Sequence, residues 1–316
     1  MGGEPNVKEP RDAGSILLAL VVAGIVVAAG AVAYVVYTNS QRISGGTPHA
    51  IISGDTVTMN YIGRFSDGRV FDTSIWDVAS NDSIYPKSLT FDLRSNDTYS
   101  PFSMEAGNYG SGGTIKGFAL GVIGLHVGDY KMIEVAPEDA YAVNYSMISS
   151  SSLIQEIPIK ELYSASSFTS YFNAEPILLM TTSHFFWNWE VQVADITGDV
   201  VTVLNQPTVG ASVYPFGDPT APTDPSGWEV RVLSYDPSAG DGAGKITLQN
   251  MLSAEDIYRV KGTDYNDYVF VVSDVNEANG TFEIHRSNSS AGYNGEIAGR
   301  TLFFEVTIIE VETATS

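Results

Sequence analysis

The sequence predicts an α+β protein, made mostly of strands with one short helix among them and carried behind a transmembrane helix. Three observations lead to this. An uncharged apolar run lies near the N-terminus, an alternating strand with a turn opens the globular part, and a single stretch of helical periodicity follows further on.

Residues 1–14 form a short tail. Residues 15–37, SILLALVVAGIVVAAGAVAYVVY, carry no charge and are long enough to cross the hydrocarbon core, which takes about 20 apolar residues in a helix. A secretory signal has an apolar stretch of only about 7–15 residues, so an uncleaved anchor is expected. Lys8 and Arg11 precede the run and Arg42 follows it. That balance favours an inside N-terminus, which sends residues 38–316 out of the cytoplasm. Asn-x-Ser/Thr triplets at Asn81, Asn96, Asn144, Asn279 and Asn288 agree with that side, though such triplets are common by chance. A pilin-like assembly helix is the competing reading, and Arg11-Asp12-Ala13-Gly14 matches a prepilin processing point poorly. Residues 38–50, with Gly45, Gly46 and Pro48, read as a linker.

From Ile51 the pattern is β-rich. In GDTVTMNYIGRFSDGRVFDTS, residues 54–74, Val57, Met59 and Tyr61 alternate with Thr56, Thr58 and Asn60, and Ser66-Asp67-Gly68 supplies the turn of a hairpin. Phe71 and Asp72 then face opposite ways unless a bulge re-aims one of them. A core Phe beside a surface Asp is the simpler expectation at this point. A polar stretch from Asp77 to Ser100 and a strand over 101–105 come next. Ile115, Phe118, Ala119, Val122 and Ile123 are spaced for one short amphipathic helix, and Lys131 to Val135 returns to strand alternation.

The chain has 316 residues, 44% of them hydrophobic, enough for one large or two ordinary cores. Its 37 acidic and 16 basic residues give a formal charge of -21, which disfavours docking on nucleic acid or anionic lipid through a basic patch. A solvated acidic surface is the simple explanation. Cysteine is absent, which removes disulfides, thiol catalysis and thiolate metal sites. His49, His126, His184 and His285 are too far apart in sequence to suggest a pair of metal ligands, and no metal or other cofactor is implied.

The segments YIGRFSDGRVFDTS, TIKGFALGVIGLHVGDYKMIEVAPEDAYA and AGRTLFFEVTIIEVE resemble, in order and spacing, the FKBP-type peptidyl-prolyl cis-trans isomerases. The resemblance covers two blocks, 51–142 and 296–313. It implies a half-open antiparallel sheet wrapping a short helix, isomerase activity on X-Pro bonds, and unfolded or partly folded prolyl-containing polypeptides as partners. Carried over by position, Tyr61, Phe71, Asp72, Ile115 and Tyr141 are the expected catalytic residues, and Phe102, Phe118 and Phe304 the expected substrate-binding ones. Tyr61 offers its hydroxyl to Asp72, Ile115 its backbone N–H to the substrate, and Tyr141 a hydroxyl donor. Phe118 stands at the pocket floor where many members have Trp. NYGSGG, residues 108–113, lengthens the approach to Ile115, and Ala142 stands where Gly usually follows the Tyr.

Between the blocks, residues 143–295 form an insert that a minimal member of the family lacks. An insert here is characteristic of the SlyD-like branch, whose flap domain holds unfolded chains, so chaperone character is expected. Hairpin-like runs start at Trp189, Trp228 and Tyr268. The shared Trp-Glu-Val of the first two suggests a degenerate repeat, and chance likeness between hairpins explains it equally well. NQPTVG, residues 205–210, resembles the flap's exit, which divides the insert into a flap-like unit, 143–212, and extra β-structure. FFWNW, 185–189, and LLM, 178–180, are either core or an apolar client surface. GDGAGKIT, 240–247, departs from phosphate-loop spacing and reads as a turn. A catalytically silent surface or adhesion protein on the same fold is the competing function.

Overall fold

The computed structural model describes residues 49–264, 266, 268–287 and 294–314. The expected tail, the apolar run 15–37 and the linker up to residue 48 lie outside them. Among the described residues no helix is long and apolar enough to cross a membrane. Two compact units form, one from residues up to Ala142 and from Gly299 onward, the other from Val143–Ala298.

The first unit is an antiparallel sheet built from β1 (Thr56–Arg64), β2 (Val70–Thr73), β3 (Phe102–Glu105), β4 (Tyr130–Val135) and the last strand of the chain, β17 (Leu302–Glu312). The strand order is β2-β1-β17-β4, with β3 also paired to β1. Val57 and Met59 of β1 and Val306 and Ile308 of β17 are fully buried, as period-two alternation requires of a strand with one covered face. The helix covers Lys116–Gly121, with Ile115 and Val122 as its caps and Phe118 and Ala119 buried. It lies close on β4: a Cβ on Gly117 would stand 2.3 Å from Val135. Ile123, expected on the buried face, is exposed because the helix has ended and Gly124 turns the chain through a positive φ.

The second unit contains three four-stranded sheets of one design. Their orders are β8-β9-β10-β7, β11-β12-β13-β6 and β14-β15-β16-β5. Each holds a central hairpin: β9 (Glu190–Thr197) with β10 (Val200–Asn205), β12 (Val230–Asp236) with β13 (Lys245–Asn250), and β15 (Val269–Asn276) with β16 (Thr281–Arg286). A short strand from just before the hairpin adds to one side: β8 (Thr181–Ser183), β11 (Ser212–Val213) or β14 (Lys261–Thr263). The other side takes one of three consecutive strands, β5 (Ile148–Ser152), β6 (Ile154–Pro158) and β7 (Lys160–Ser164).

The likeness extends to irregularities. The first strand of each hairpin carries one extra residue, Ala194, Leu233 or Ser273, and each of these stands five positions after Trp189, Trp228 or Tyr268. Val193, Val232 and Val272 each donate to the preceding segment, at Met180, Ala211 and Val260. Trp189 Nε1 donates to Asn205 Oδ1 at 2.7 Å, and Trp228 Nε1 to Asn250 Oδ1 at 2.9 Å. The same two amides reach back to the β5–β7 segment, at Pro158 O and Ser152 O. Shared bulges and shared buried hydrogen bonds are more than hairpins have in common by chance, so the repeat is structural.

Three expectations change here. The division near residue 212 does not hold, because β5 and β6, N-terminal to it, complete the sheets of the second and third hairpins, and one apolar core runs through all three. Glu296 is buried in a short helix, Asn294–Ile297, on the second unit's side, so the first unit resumes at Gly299. FFWNW and LLM are divided: Trp187 and Trp189 are core, Met180 packs against it, and Leu178 and Leu179 are exposed. GDGAGKIT forms a turn and the start of β13.

His285 lies between β15 and β5, is 2% exposed, and has no partner for Nε2 among the described residues. Burial pushes its pKa below the ordinary histidine value of 6.5. The folded state therefore favours the neutral ring, and this contribution is present above that value and lost as pH falls through and below it. Thermal unfolding should show the insert weakening from about pH 7 to about pH 5, and His285→Leu should flatten that dependence. An unchanged slope in the variant would assign the loss to other groups.

Candidate active site

The site begins with an irregularity in the first hairpin. β2 pairs with β1 as Ile62↔Thr73, Gly63↔Asp72 and Arg64↔Val70, which leaves Phe71 as an extra residue without a cross-strand partner. A bulge of this kind breaks the alternation and re-aims side chains. Phe71 and Asp72 are both part-buried, so the simpler expectation of a core Phe beside a surface Asp does not hold. The Phe71 ring lies across Gly63, where a Cβ would meet it at 2.6 Å. It meets Phe65 at 5.0 Å and the edge of Phe304 at 5.5 Å between ring centres.

The remaining aromatic residues come from four separate elements. Tyr61 of β1 stands 5.8 Å from Phe102 of β3, 6.0 Å from Phe118 of the helix and 6.3 Å from Phe304 of β17. Phe118 stacks on Phe304 at 4.5 Å. Phe118 is buried, while Tyr61, Phe71 and Phe102 keep partial exposure. Tyr61 donates its hydroxyl to Asp72 Oδ2 at 2.5 Å. Burial first, and then the Asp72 charge, push the Tyr61 hydroxyl far above the ordinary tyrosine range. Tyr141 is raised for the same two reasons in the same order, burial and then the Asp72 charge. Its carbonyl accepts from Gly299 N–H at 2.9 Å. Ile115 caps the helix in an extended conformation, with φ -66° and ψ 141°. Its carbonyl accepts from Ala119 N–H, and among the described residues nothing accepts its own N–H.

Two contributors were missed in the sequence. Gly63 carried a readable signal, since a glycine inside a strand often marks a close approach. Arg94 carried almost none, lying in the irregular polar stretch 77–100. Its guanidinium donates to Asp72 Oδ1 at 3.1 Å and to Thr73 O at 2.9 Å, and it lies over the Tyr99 ring at 4.8 Å. Asp72 is thus held between Tyr61 and Arg94. The result is a cluster of rings drawn from β1, β2, β3, the helix and β17, with the Asp72 carboxylate fixed beside it between Tyr61 and Arg94.

Gly63→Ala tests the bulge directly. The new methyl must displace the Phe71 ring, and misplacement on the ångström scale at a reacting geometry costs roughly 100-fold. Prolyl isomerisation should fall by about that order while the melting temperature changes little. A variant with the parent's rate would mean that Phe71 does not shape the productive cleft.

The sequence model of the FKBP-type peptidyl-prolyl cis-trans isomerases matches residues 48–157. A short-type peptidyl-prolyl cis-trans isomerase of Methanocaldococcus jannaschii is 32% identical over 153 residues, which are 48% of this chain and 81% of that protein. FK506-binding protein 4 of Chaetomium thermophilum is 28% identical over 119 residues, 37% of this chain and 20% of that protein. A relative this similar, covered over four-fifths of its length, shows the family: the chain belongs to the FKBP-type peptidyl-prolyl cis-trans isomerases, and its activity is the cis-trans isomerisation of peptidyl-prolyl bonds.

Proposed function

We propose that this isomerase works outside the cytoplasm on unfolded or partly folded polypeptides, anchored by residues 15–37, with a SlyD-like insert that holds clients. The observation that supports the catalytic part is the meeting of Tyr61, Phe71, Phe102, Phe118 and Phe304 in one cluster of rings, with Asp72 hydrogen-bonded to Tyr61. Rotation about a peptide bond meets a barrier of roughly 18–20 kcal/mol because resonance stiffens C–N. In the twisted transition state that resonance is lost and the carbonyl is less polar. A dry aromatic cleft therefore accommodates the twisted amide better than the planar one. Ile115 N–H and Tyr141 O–H hold the chain beside the turning bond. Arg94 fixes Asp72, and Asp72 fixes Tyr61, so the wall does not have to reorganise during rotation.

The client-holding part rests on apolar side chains that the insert leaves in water. Ile177, Leu178 and Leu179 form one run, 64%, 55% and 65% exposed. Tyr171 and Phe185, stacked at 4.6 Å, are a second exposed apolar pair in the same unit. Exposed patches of this kind mark binding surfaces more often than isolated apolar residues do. The anchoring part rests on the length and lack of charge of residues 15–37.

Joining Ala142 to Gly299 through a few Gly and Ser residues removes the insert at a point where Tyr141 O and Gly299 N–H are already 2.9 Å apart. The shortened protein should isomerise a short peptide almost as fast as the parent. It should be much slower on an unfolded protein limited by a proline step, because tethered client no longer raises the local concentration. Equal loss on both substrates would make the insert part of the site, and no loss on either would remove the holding role. For orientation, an external protease added to intact cells should digest the chain beyond about residue 45 and leave the anchor; full protection would reverse the topology.

A further inference from the structure

A second surface adjoins the prolyl cleft along β3. Among the described residues the one ladder of this strand is to β1, which makes it an edge strand. Ala106, just past its end, fixes which backbone groups face which way. Its N–H donates to Asp55 O at 2.8 Å and its carbonyl accepts from Gly54 N–H at 2.9 Å, so both groups point towards the β1 side. The two-residue period puts those of Met104 and Phe102 on that side as well, and turns those of Ser103 and Glu105 outward. Asn108 N–H takes the Glu105 carbonyl at 3.2 Å. The Ser103 N–H, the Ser103 carbonyl and the Glu105 N–H have no partner among the described residues.

These groups open on a groove of about 350 Å³ whose opposite wall is the loop of Asn108 and Gly112 to Thr114. That wall is tightly folded, since a Cβ on Gly113 would stand 2.6 Å from the Asn108 carbonyl oxygen. The groove adjoins the cluster of rings at both walls. Phe102 lines it and also faces Tyr61, and Thr114 lines it and immediately precedes Ile115.

The geometry points to the free edge of β3 as a strand-addition subsite for the substrate polypeptide itself, taking an extended segment that flanks the prolyl bond. This deepens the reading of the cleft given above and rests on it. Continuity with the cleft names the occupant, because a chain whose proline is in the cleft must leave it along one of its walls. Proline also keeps its neighbour extended, pushing the preceding residue out of the helical region and into the range that a strand needs. Recognition through main-chain groups is indifferent to side chains, which suits an enzyme that acts on many sequences. The six residues Asn108 to Gly113, which lengthen the approach to Ile115, then supply the second wall of a channel for the flanking chain.

The test measures kcat/KM of the full protein on a four-residue prolyl peptide and on peptides lengthened by about four Ala and Ser residues on either side of the proline. On one side, lengthening should raise kcat/KM about tenfold, as two or three hydrogen bonds would. N-methylation of alternate amides in that extension should return the rate to that of the short peptide, whereas methylation of the intervening amides should not. Ser103→Pro, which deletes one edge donor, should bring the ratio of long to short peptide close to one. No gain from either extension, or a gain indifferent to which amides are methylated, overturns the subsite. Failure to isomerise even the short peptide would instead overturn the reading of the cleft.

Discussion

Everything in the first unit depends on the pairing of β17 with β1. The last strand of the chain lies between β1 and β4, so it is the centre of the sheet and not an edge added late to a finished body. Its register decides which residues enter the cleft, since a slip of one residue would turn Phe304 to the other face. Arg64 Nε donates to Glu305 Oε1 at 2.6 Å, with both side chains about one-tenth exposed. A buried pair of this kind adds little net stability, but breaking it leaves a stranded charge at a cost of about 3–5 kcal/mol. It therefore acts as a register pin. The insert between β4 and β17 is tolerated because loop closure grows only with the logarithm of length, about 0.6 kcal/mol per doubling.

On that frame the cleft follows from two local departures. The extra residue in β2 turns Phe71 across Gly63, and the fixed register of β17 brings Phe304 to meet it. Aromatic pairs add roughly 0.5–1.5 kcal/mol each beyond the area that they bury, so the rings also stiffen the wall that they form. Asp72 and Arg94 belong to a different class. Both are about two-fifths exposed, and a pair so solvated contributes at most about 1 kcal/mol. Its effect is directional: it aims one carboxylate oxygen at Tyr61 and keeps that hydroxyl a neutral donor.

How much of this could be read in the sequence varied with how periodic the signal was. The strand from Thr56 to Arg64 and the helix around Phe118 showed clear periods, whereas the strand from Leu302 and the clustered rings were placed by the motifs of the family resemblance. A single-residue bulge has no period, so Phe71 could be given its place only through the family resemblance. Arg94 reaches Asp72 from an irregular loop, where no spacing rule applies. The three hairpins of the insert were legible, because each is a local object with its own turn. Their outer strands were not. ISSSSLIQEIPIKELYS, residues 148–164, is too polar to show a strand pattern, and its three partners are remote in sequence. That is why a boundary drawn near residue 212 fails: it follows the local motif NQPTVG, whereas the sheets are closed by pairings that cross it.

Those crossing pairings have an order. β7 meets β10, β6 meets β13, β5 meets β16 and β1 meets β17, so the four contacts nest like brackets, each enclosed by the next. As a ribosome delivers the chain, β10 emerges first and finds β7 waiting, then β13 finds β6, β16 finds β5, and β17 closes last on β1. No pairing has to be undone to admit a later one, and each closure shortens the effective loop that the next must bridge. Until the final residues arrive, β1 and β4 lack the strand that belongs between them. The isomerase unit can therefore be assembled only after the insert has emerged, and a chain stalled inside the insert would display part of the insert without a completed isomerase.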